Sequence, residues 1–198
     1  MIKRIIDIFG SLLGIILFSP IMIIAAVAIK FDSKGPVLFK QTRVGQNGKQ
    51  FSILKFRSMV TDADKHKQEL LSQNEMGDPR LFKMKNDPRI TKVGKIIRKT
   101  SIDELPQFFN VLKGNMSLVG TRPPTVSEVE QYDRRHFRRI SIKPGITGMW
   151  QTSGRNAITD FEQVVQMDVA YIDNWSLLLD FKLIFKTVNV LLNKKGAY

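Results

Sequence analysis

From Ile8 to Ile29 the chain runs for 22 residues without a charged side chain, IFGSLLGIILFSPIMIIAAVAI. A run of that length spans a hydrocarbon core as one helix. It is too long and uninterrupted, and too poor in a small-residue cleavage pattern, for a cleaved signal peptide. It divides the chain into a membrane element, residues 1–34, and one further unit, residues 35–198. Ser19-Pro20 stands in the middle of the run. Proline removes a backbone donor and clashes with the preceding turn, which predicts a kink or break; the serine hydroxyl can satisfy the carbonyl so freed. The flanks carry the same sign, Lys3 and Arg4 before and Lys30 and Lys34 after. A crossing helix usually shows a Lys/Arg bias between its two sides. The residues alone leave two topologies open, a kinked crossing anchor and a hairpin that enters and leaves by one face. Asp7 lies one helical turn from Lys3 and Arg4, where a helix would pair them.

The chain as a whole is strongly basic. Lys and Arg number 31 against 18 Asp and Glu, a net charge of +13, which implies an anionic partner: a membrane surface, a phosphorylated substrate or nucleic acid. Nucleic acid is disfavoured, because acids are interspersed among the bases and neither an aromatic–basic sheet motif nor a recognition-helix pattern is present. There is no cysteine, which excludes disulfides, thiolate metal sites and cysteine nucleophiles. The two histidines, His66 and His136, are far apart in charged surroundings and do not suggest a metal site.

The pattern beyond residue 34 predicts an α+β, mainly helical unit. Asn47-Gly48 between Val37-Leu38-Phe39 and Phe51-Ser52-Ile53-Leu54 signals a β-hairpin. Thr61–Glu75 is polar, a solvated helix at best; Asp78-Pro79 and Asp87-Pro88 mark loops. Short helices are expected over Val93–Arg98 and Leu105–Leu112, the latter closed by Lys113-Gly114. Gly120–Pro124 must be extended. A charged helix is expected over Thr125–Ile140, a turn-rich loop over Lys143–Gly148, and a helix over Phe161–Ile172. Asn174–Leu192 reads as a long amphipathic helix. With Trp175 at one end and Lys194-Lys195 at the other, it suits either the core or a membrane surface.

Asp103 and Glu104, in Ser101-Ile102-Asp103-Glu104-Leu105-Pro106-Gln107, sit side by side in one of the most basic stretches. One explanation is a helix start: Ser101-x-x-Glu104 matches a capping box, and acids suit the first turn. Placing Pro106 in the first turn makes Asp103 the better N-cap. The other explanation is chemical. A helix start favours an ionised, nucleophilic Asp103 and also attracts phosphate. Two carboxylates facing a diphosphate need a cation between them, and Mg²⁺ prefers one or two carboxylates plus phosphate oxygens. Arg98 and Arg122 flank the pair in sequence, and guanidinium grips phosphate bidentately. A purely structural membrane-anchoring protein, with the acids as a mere cap, is the alternative.

At this point the chain resembles the bacterial sugar transferases of the monotopic phosphoglycosyl transferase type, the undecaprenyl-phosphate sugar-phosphate transferases. The resemblance rests on motifs in order over nearly the whole chain: Lys3-Arg4-x-x-Asp7; Ser19-Pro20; Lys55-Phe56-Arg57-Ser58-Met59; Asp103-Glu104-Leu105-Pro106-Gln107 with Asn110-Val111-Leu112-Lys113-Gly114; Val119-Gly120-Thr121-Arg122-Pro123; and Pro144-Gly145-Ile146-Thr147-Gly148 with Gln151 and Gly154-Arg155. Thr121 stands where many members carry proline.

The resemblance implies a re-entrant helix, broken at Ser19-Pro20, that holds the protein on the cytoplasmic face of the bacterial inner membrane, with Lys3, Arg4 and Asp7 as topology determinants. It implies that Asp103 attacks the sugar-linked phosphate of a UDP-sugar, releasing UMP. Undecaprenyl phosphate would then take the phosphosugar, giving undecaprenyl-diphosphate-sugar for exopolysaccharide or capsule synthesis. Glu104, with Asp103, would hold Mg²⁺, and Lys55, Arg98, Arg122 and Arg155 would lie near the phosphates. Glucose or galactose is the expected sugar, anionic lipid an expected partner, and a homodimer is compatible with the family. Larger members carry further segments upstream, so the chain is expected to be a minimal catalytic form.

Overall fold

The computed structural model describes residues 1–63, 84, 86–153, 158 and 160–192. His66, Arg155, Asp78-Pro79, Lys194-Lys195 and most of the solvated helix expected over Thr61–Glu75 lie outside the described residues. The protein is mixed helix and sheet, mostly helical.

The apolar run forms one helix, α1 (Ile2–Asp32), with Pro20 inside it. The expected interruption at Ser19-Pro20 is thus corrected: the helix is continuous. The local chemistry explains how. Pro20 has no N–H to give the carbonyl of Ile16, four residues back, and the Ser19 hydroxyl donates to that same carbonyl at 2.9 Å.

The rest of the fold grips α1 along its whole length. At the first turn Lys3 Nζ donates to Asp180 Oδ2 (2.6 Å) and to the Val119 carbonyl. Arg4 donates to the carbonyls of Val111 and Leu112. Asp7 does not pair with these cations, as sequence spacing suggested. It is buried, and it accepts from Ser117 Oγ and the Leu118 N–H. Midway, Phe18 stacks on Phe108. At the far end Ala25 and Ile29 pack with Phe56 and Ile97. There the Arg57 guanidinium donates to the carbonyl of Ile29 in the last turn and to those of Ser33 and Lys34 just beyond it, fastening the end of the helix to β2 and the segment that follows it. The opposite face of α1 leaves Phe9, Leu13, Ile16, Leu17, Ile23, Ile24 and Phe31 exposed.

Strands β1 (Leu38–Val44) and β2 (Gln50–Phe56) form the antiparallel hairpin that the sequence signalled. Asn47 (φ 54°) and Gly48 (φ 79°) turn it, both left-handed, which is why Asn-Gly suits that place. Helices α2 (Lys92–Lys99) and α3 (Gln107–Leu112) follow. Asn110 on α3 is buried and acts as a surrogate strand: its Oδ1 accepts from Leu54 N–H and its Nδ2 donates to Ser52 O. Phe51 and Ile53 of the hairpin pack with Val111 and Met116.

The expected loop over Lys143–Gly148 is instead a strand, β4 (Gly145–Thr147), parallel to β3 (Ser117–Val119). Glycine makes this approach possible. A Cβ on Gly145 would stand 2.1 Å from Gly120 N, and one on Gly120 would stand 2.4 Å from Lys143 O. The charged helix expected over Thr125–Ile140 is also corrected. Only α4 (Val126–Val129) and a 3₁₀ turn, His136–Ile140, form. Asp133 separates them, because its Oδ1 accepts from the N–H groups of Arg135 and His136 and so starts a new turn.

Helices α5 (Met149–Thr152), α6 (Phe161–Asp173) and α7 (Leu177–Leu192) complete the chain. Buried Arg139 donates to buried Asp168 at 2.8 Å and to Tyr132 Oη at 2.6 Å, tying the 3₁₀ turn to α6. Helix α7 buries Leu183 but leaves Leu178, Phe181, Phe185 and Val188 exposed, a stripe at helical spacing.

Candidate active site

Asp103 and Glu104 do not start α3. They occupy a 3₁₀ turn, Ile102–Glu104, whose preceding residue, Ser101, is left-handed (φ 56°) and makes no side-chain cap. The expectation that Asp103 caps the helix is therefore corrected, and so is the capping box. Tight i→i+3 bonds, Glu104 N to Ser101 O and Leu105 N to Ile102 O, carry the chain to Pro106. Such a turn demands no donor from the proline. Oε1 of Glu104 accepts from Lys55 Nζ at 2.7 Å.

The turn lies against α2, β2 and, more lightly, α1. The last turn of α2 carries half-buried Arg98, and β2 carries Lys55. Arg122 comes from the extended Thr121–Pro124 segment. It is within 3.5 Å of Glu128 Oε2, and its guanidinium lies 5.7 Å from the centre of the Trp150 ring. The structure therefore joins Lys55 to Glu104 directly and seats Arg98 on the helix packed beside the carboxylate turn. Arg122 belongs to a neighbouring charge cluster. Lys3, Arg4 and Asp7 lie elsewhere, at the root of α1, and Ser19 and Pro20 at its middle.

Sequence reasoning passed over Arg43, Glu128 and Trp150. Arg43 Nη1 lies 4.0 Å from Glu128 Oε1, and the Glu128 residue is only 8% exposed. Burial, then the Arg122 charge, pushes Arg43 down to about 10; Glu128 and Glu104 act in the opposite direction. Glu104 thus feels this cluster as well as Lys55. A signal for Arg43 was available in the sequence: residue 43 shares its hairpin face with Lys55, given the Asn-Gly turn and period-two alternation.

Among the described residues, no three His, Cys, Asp or Glu side chains converge as a metal cage. Two adjacent carboxylates form an oxygen donor set that suits a hard cation completing its shell with phosphate and water.

The structure thus sets carboxylates among cations on a domain fastened to one helix long and apolar enough to cross a membrane. The chain belongs to the bacterial sugar transferase family, whose model matches residues 1–194. It is 54% identical over 195 residues to galactosyl transferase CpsE of Streptococcus agalactiae, covering 98% of this chain and 43% of that protein. It is 46% identical to undecaprenyl-phosphate galactose phosphotransferase of Salmonella typhimurium, covering 100% and 42%. It is 38% identical to exopolysaccharide production protein ExoY of Rhizobium meliloti, covering 100% and 88%. The chain thus spans less than half the length of the first two relatives and most of the third.

Proposed function

We propose that the protein transfers a sugar 1-phosphate from a UDP-sugar to undecaprenyl phosphate, releasing UMP. In the first step an Asp103 carboxylate oxygen attacks the sugar-linked phosphorus, and the bond from that phosphorus to the bridging oxygen breaks, so UMP leaves. In the second, an oxygen of undecaprenyl phosphate attacks the same phosphorus and the Asp103 carboxylate is expelled. Lys55 and Arg98 offset charge on the transferring group, and Arg122 does so from the adjoining cluster. Arg155 is assigned to the same task on family resemblance. Mg²⁺ held by Asp103 and Glu104 would neutralise the diphosphate. The observation that carries the reading is the Asp103–Glu104 turn, set between the end of α2 with Arg98 and the strand with Lys55.

The topology proposed is monotopic, with both ends of α1 on the cytoplasmic side of the inner membrane. What supports it is the grip on both ends of one helix by one domain. At 1.5 Å per residue the 31-residue helix is about 46 Å long. If it crossed the bilayer, Asp180 at one end and Arg57 at the other would have to sit on opposite sides. The exposed stripe of α7, beside the α1 root, would lie in the same interface, and the basic surface would meet anionic lipid.

Galactose is the favoured sugar, since two relatives' names carry it. UMP release measured over a panel of UDP-sugars, with and without undecaprenyl phosphate, tests the function. UDP-galactose or UDP-glucose should give lipid-dependent turnover that EDTA stops and Mg²⁺ restores. No UMP from any UDP-sugar would overturn it.

A further inference from the structure

Arg139 is buried and the Arg43 side chain is only 12% exposed, and the two differ in their partners. Arg139 is satisfied. Burial disfavours its charge, but Asp168 at 2.8 Å and Tyr132 more than offset this, and its pKa lies above the ordinary arginine value. Such a residue holds structure together. Arg43 is not satisfied in this way. Its Nη1 donates to Pro123 O (3.0 Å) and its Nη2 to Gln41 Oε1 (2.7 Å), both neutral acceptors. Its nearest carboxylate, Glu128, is 4.0 Å away and is also approached by Arg122 at 3.5 Å. Its Nε is buried with no hydrogen-bond partner. Two guanidiniums thus share one buried carboxylate; the Arg122 side chain is 32% exposed and partly served by water, whereas that of Arg43 is 12% exposed and is left undercompensated. A buried donor without an acceptor is costly, and so is an undercompensated buried cation.

The backbone makes the cluster deliberate in geometry. Val44 N–H donates to Pro124 O, and residue 43 bridges Thr125, so β1 pairs with the segment that carries Arg122. Glu128 sits on α4, whose first turn is capped by the Thr125 hydroxyl (3.1 Å to Glu128 N). Arg43 shares a hairpin face with Lys55, which holds Glu104. Arg43 and Lys55 lie four residues apart along that face, opposite Phe51 and Phe39 respectively, and the Glu104 carboxylate still acts on the Arg43 charge, so the cluster adjoins the carboxylate turn.

We propose that Arg43 binds a substrate phosphate beside Arg122, and that Glu128 is the positioning carboxylate which keeps both guanidiniums in place. This rests on the function proposed above and names a residue outside the set derived from sequence. The phosphate could belong to the nucleotide or to the lipid acceptor, and the two sources separate in kinetics.

The test uses the full chain in detergent or nanodiscs, with UMP release as readout. Arg43→Lys keeps the charge but loses the fork; Arg43→Gln loses both. For a nucleotide seat, the KM for the UDP-sugar should rise about tenfold or more in both variants, the scale of a charge-assisted hydrogen bond to a buried group. The KM for undecaprenyl phosphate should hold, and protection of the protein by UMP against thermal unfolding should weaken. For a lipid-phosphate seat the KM effects exchange and UMP protection is kept. Glu128→Gln, which keeps shape and removes the charge, should shift the same KM in the same direction by a smaller factor. It decides the matter if the Arg43 variants fail to fold. Unchanged KM values for both substrates in folded variants would overturn the proposal. A wild-type protein inert towards every UDP-sugar would instead overturn the proposed function itself.

Discussion

Asp180→Ala should unfasten the root of the membrane helix. Asp180 is 7% exposed and accepts three hydrogen bonds, from Lys3 Nζ (2.6 Å), Tyr171 Oη (2.7 Å) and Trp175 Nε1 (3.3 Å). Burial, reinforced by the neighbouring Asp180 carboxylate, pushes Tyr171 well above the usual phenol range, so it is a neutral donor. Removing the carboxylate leaves the buried Tyr171 hydroxyl with only its longer 3.3 Å contact to Val119 O, and Lys3 without its counter-ion. The Lys3 side chain is 27% exposed, so water relieves part of that loss. A cost of about 3 kcal/mol follows, at the low end for breaking a buried pair. For a chain of this size that lowers Tm by about 6–12 °C. Thermal unfolding in detergent measures it, and a double-mutant cycle with Lys3→Ala should give a coupling of about 1 kcal/mol. A shift below about 2 °C, or additive effects, would refute the view that this contact fastens α1 to the domain.

Gly145→Ala should cost about 3 kcal/mol or more, because its Cβ would meet Gly120 N at 2.1 Å in backbone that cannot yield; chemical denaturation measures it. Ser19→Ala should cost about 1 kcal/mol by leaving the Ile16 carbonyl unserved. In a Pro20→Ala background, where residue 20 regains its N–H, the same change should cost almost nothing, which unfolding in detergent would show. Burial raises the Asp87 carboxyl, but hydrogen bonds from the Arg89 side chain and backbone outweigh this and hold it below the usual carboxylate value. A depressed folded pKa stabilises above the unfolded value of about 4 and is lost as pH falls through the folded one. Asp87→Asn should therefore lower Tm at pH 7 and flatten the Tm profile below about pH 4.

The elements legible in the sequence were those set by local chemistry. Asn47-Gly48 announced its hairpin, Lys113-Gly114 closed α3, and the patterns of residues 161–172 and 174–192 announced α6 and α7, the latter starting at Leu177. The elements that escaped depend on distant partners. Strand β4 needs β3 twenty-eight residues earlier and a glycine contact between Gly120 and Gly145, which no local pattern encodes. The helix expected over 125–140 was lost to the Asp133 turn, whose strength rests on two backbone donors rather than on propensity. Asp103 and Glu104 were visible as a pair, but their turn was misassigned. Local rules weigh capping and do not see that Lys55, forty-nine residues away, takes Glu104. The hairpin pattern showed the face on which Arg43 lies, but Glu128 and the charge it shares with Arg43 were hidden for the same reason, since that cluster exists only once β1 and the Arg122 segment pair.

The central claim is that Asp103 carries the phosphosugar between donor and lipid. Incubation of the purified protein with the preferred UDP-sugar, without undecaprenyl phosphate, followed by rapid acid quench and intact-mass and peptide analysis, tests it directly. A phosphosugar adduct on Asp103 that disappears on adding undecaprenyl phosphate, and is absent from Asp103→Asn, is the predicted result. Near-normal turnover by Asp103→Asn, with deamidation excluded, or an adduct on another residue, would contradict it.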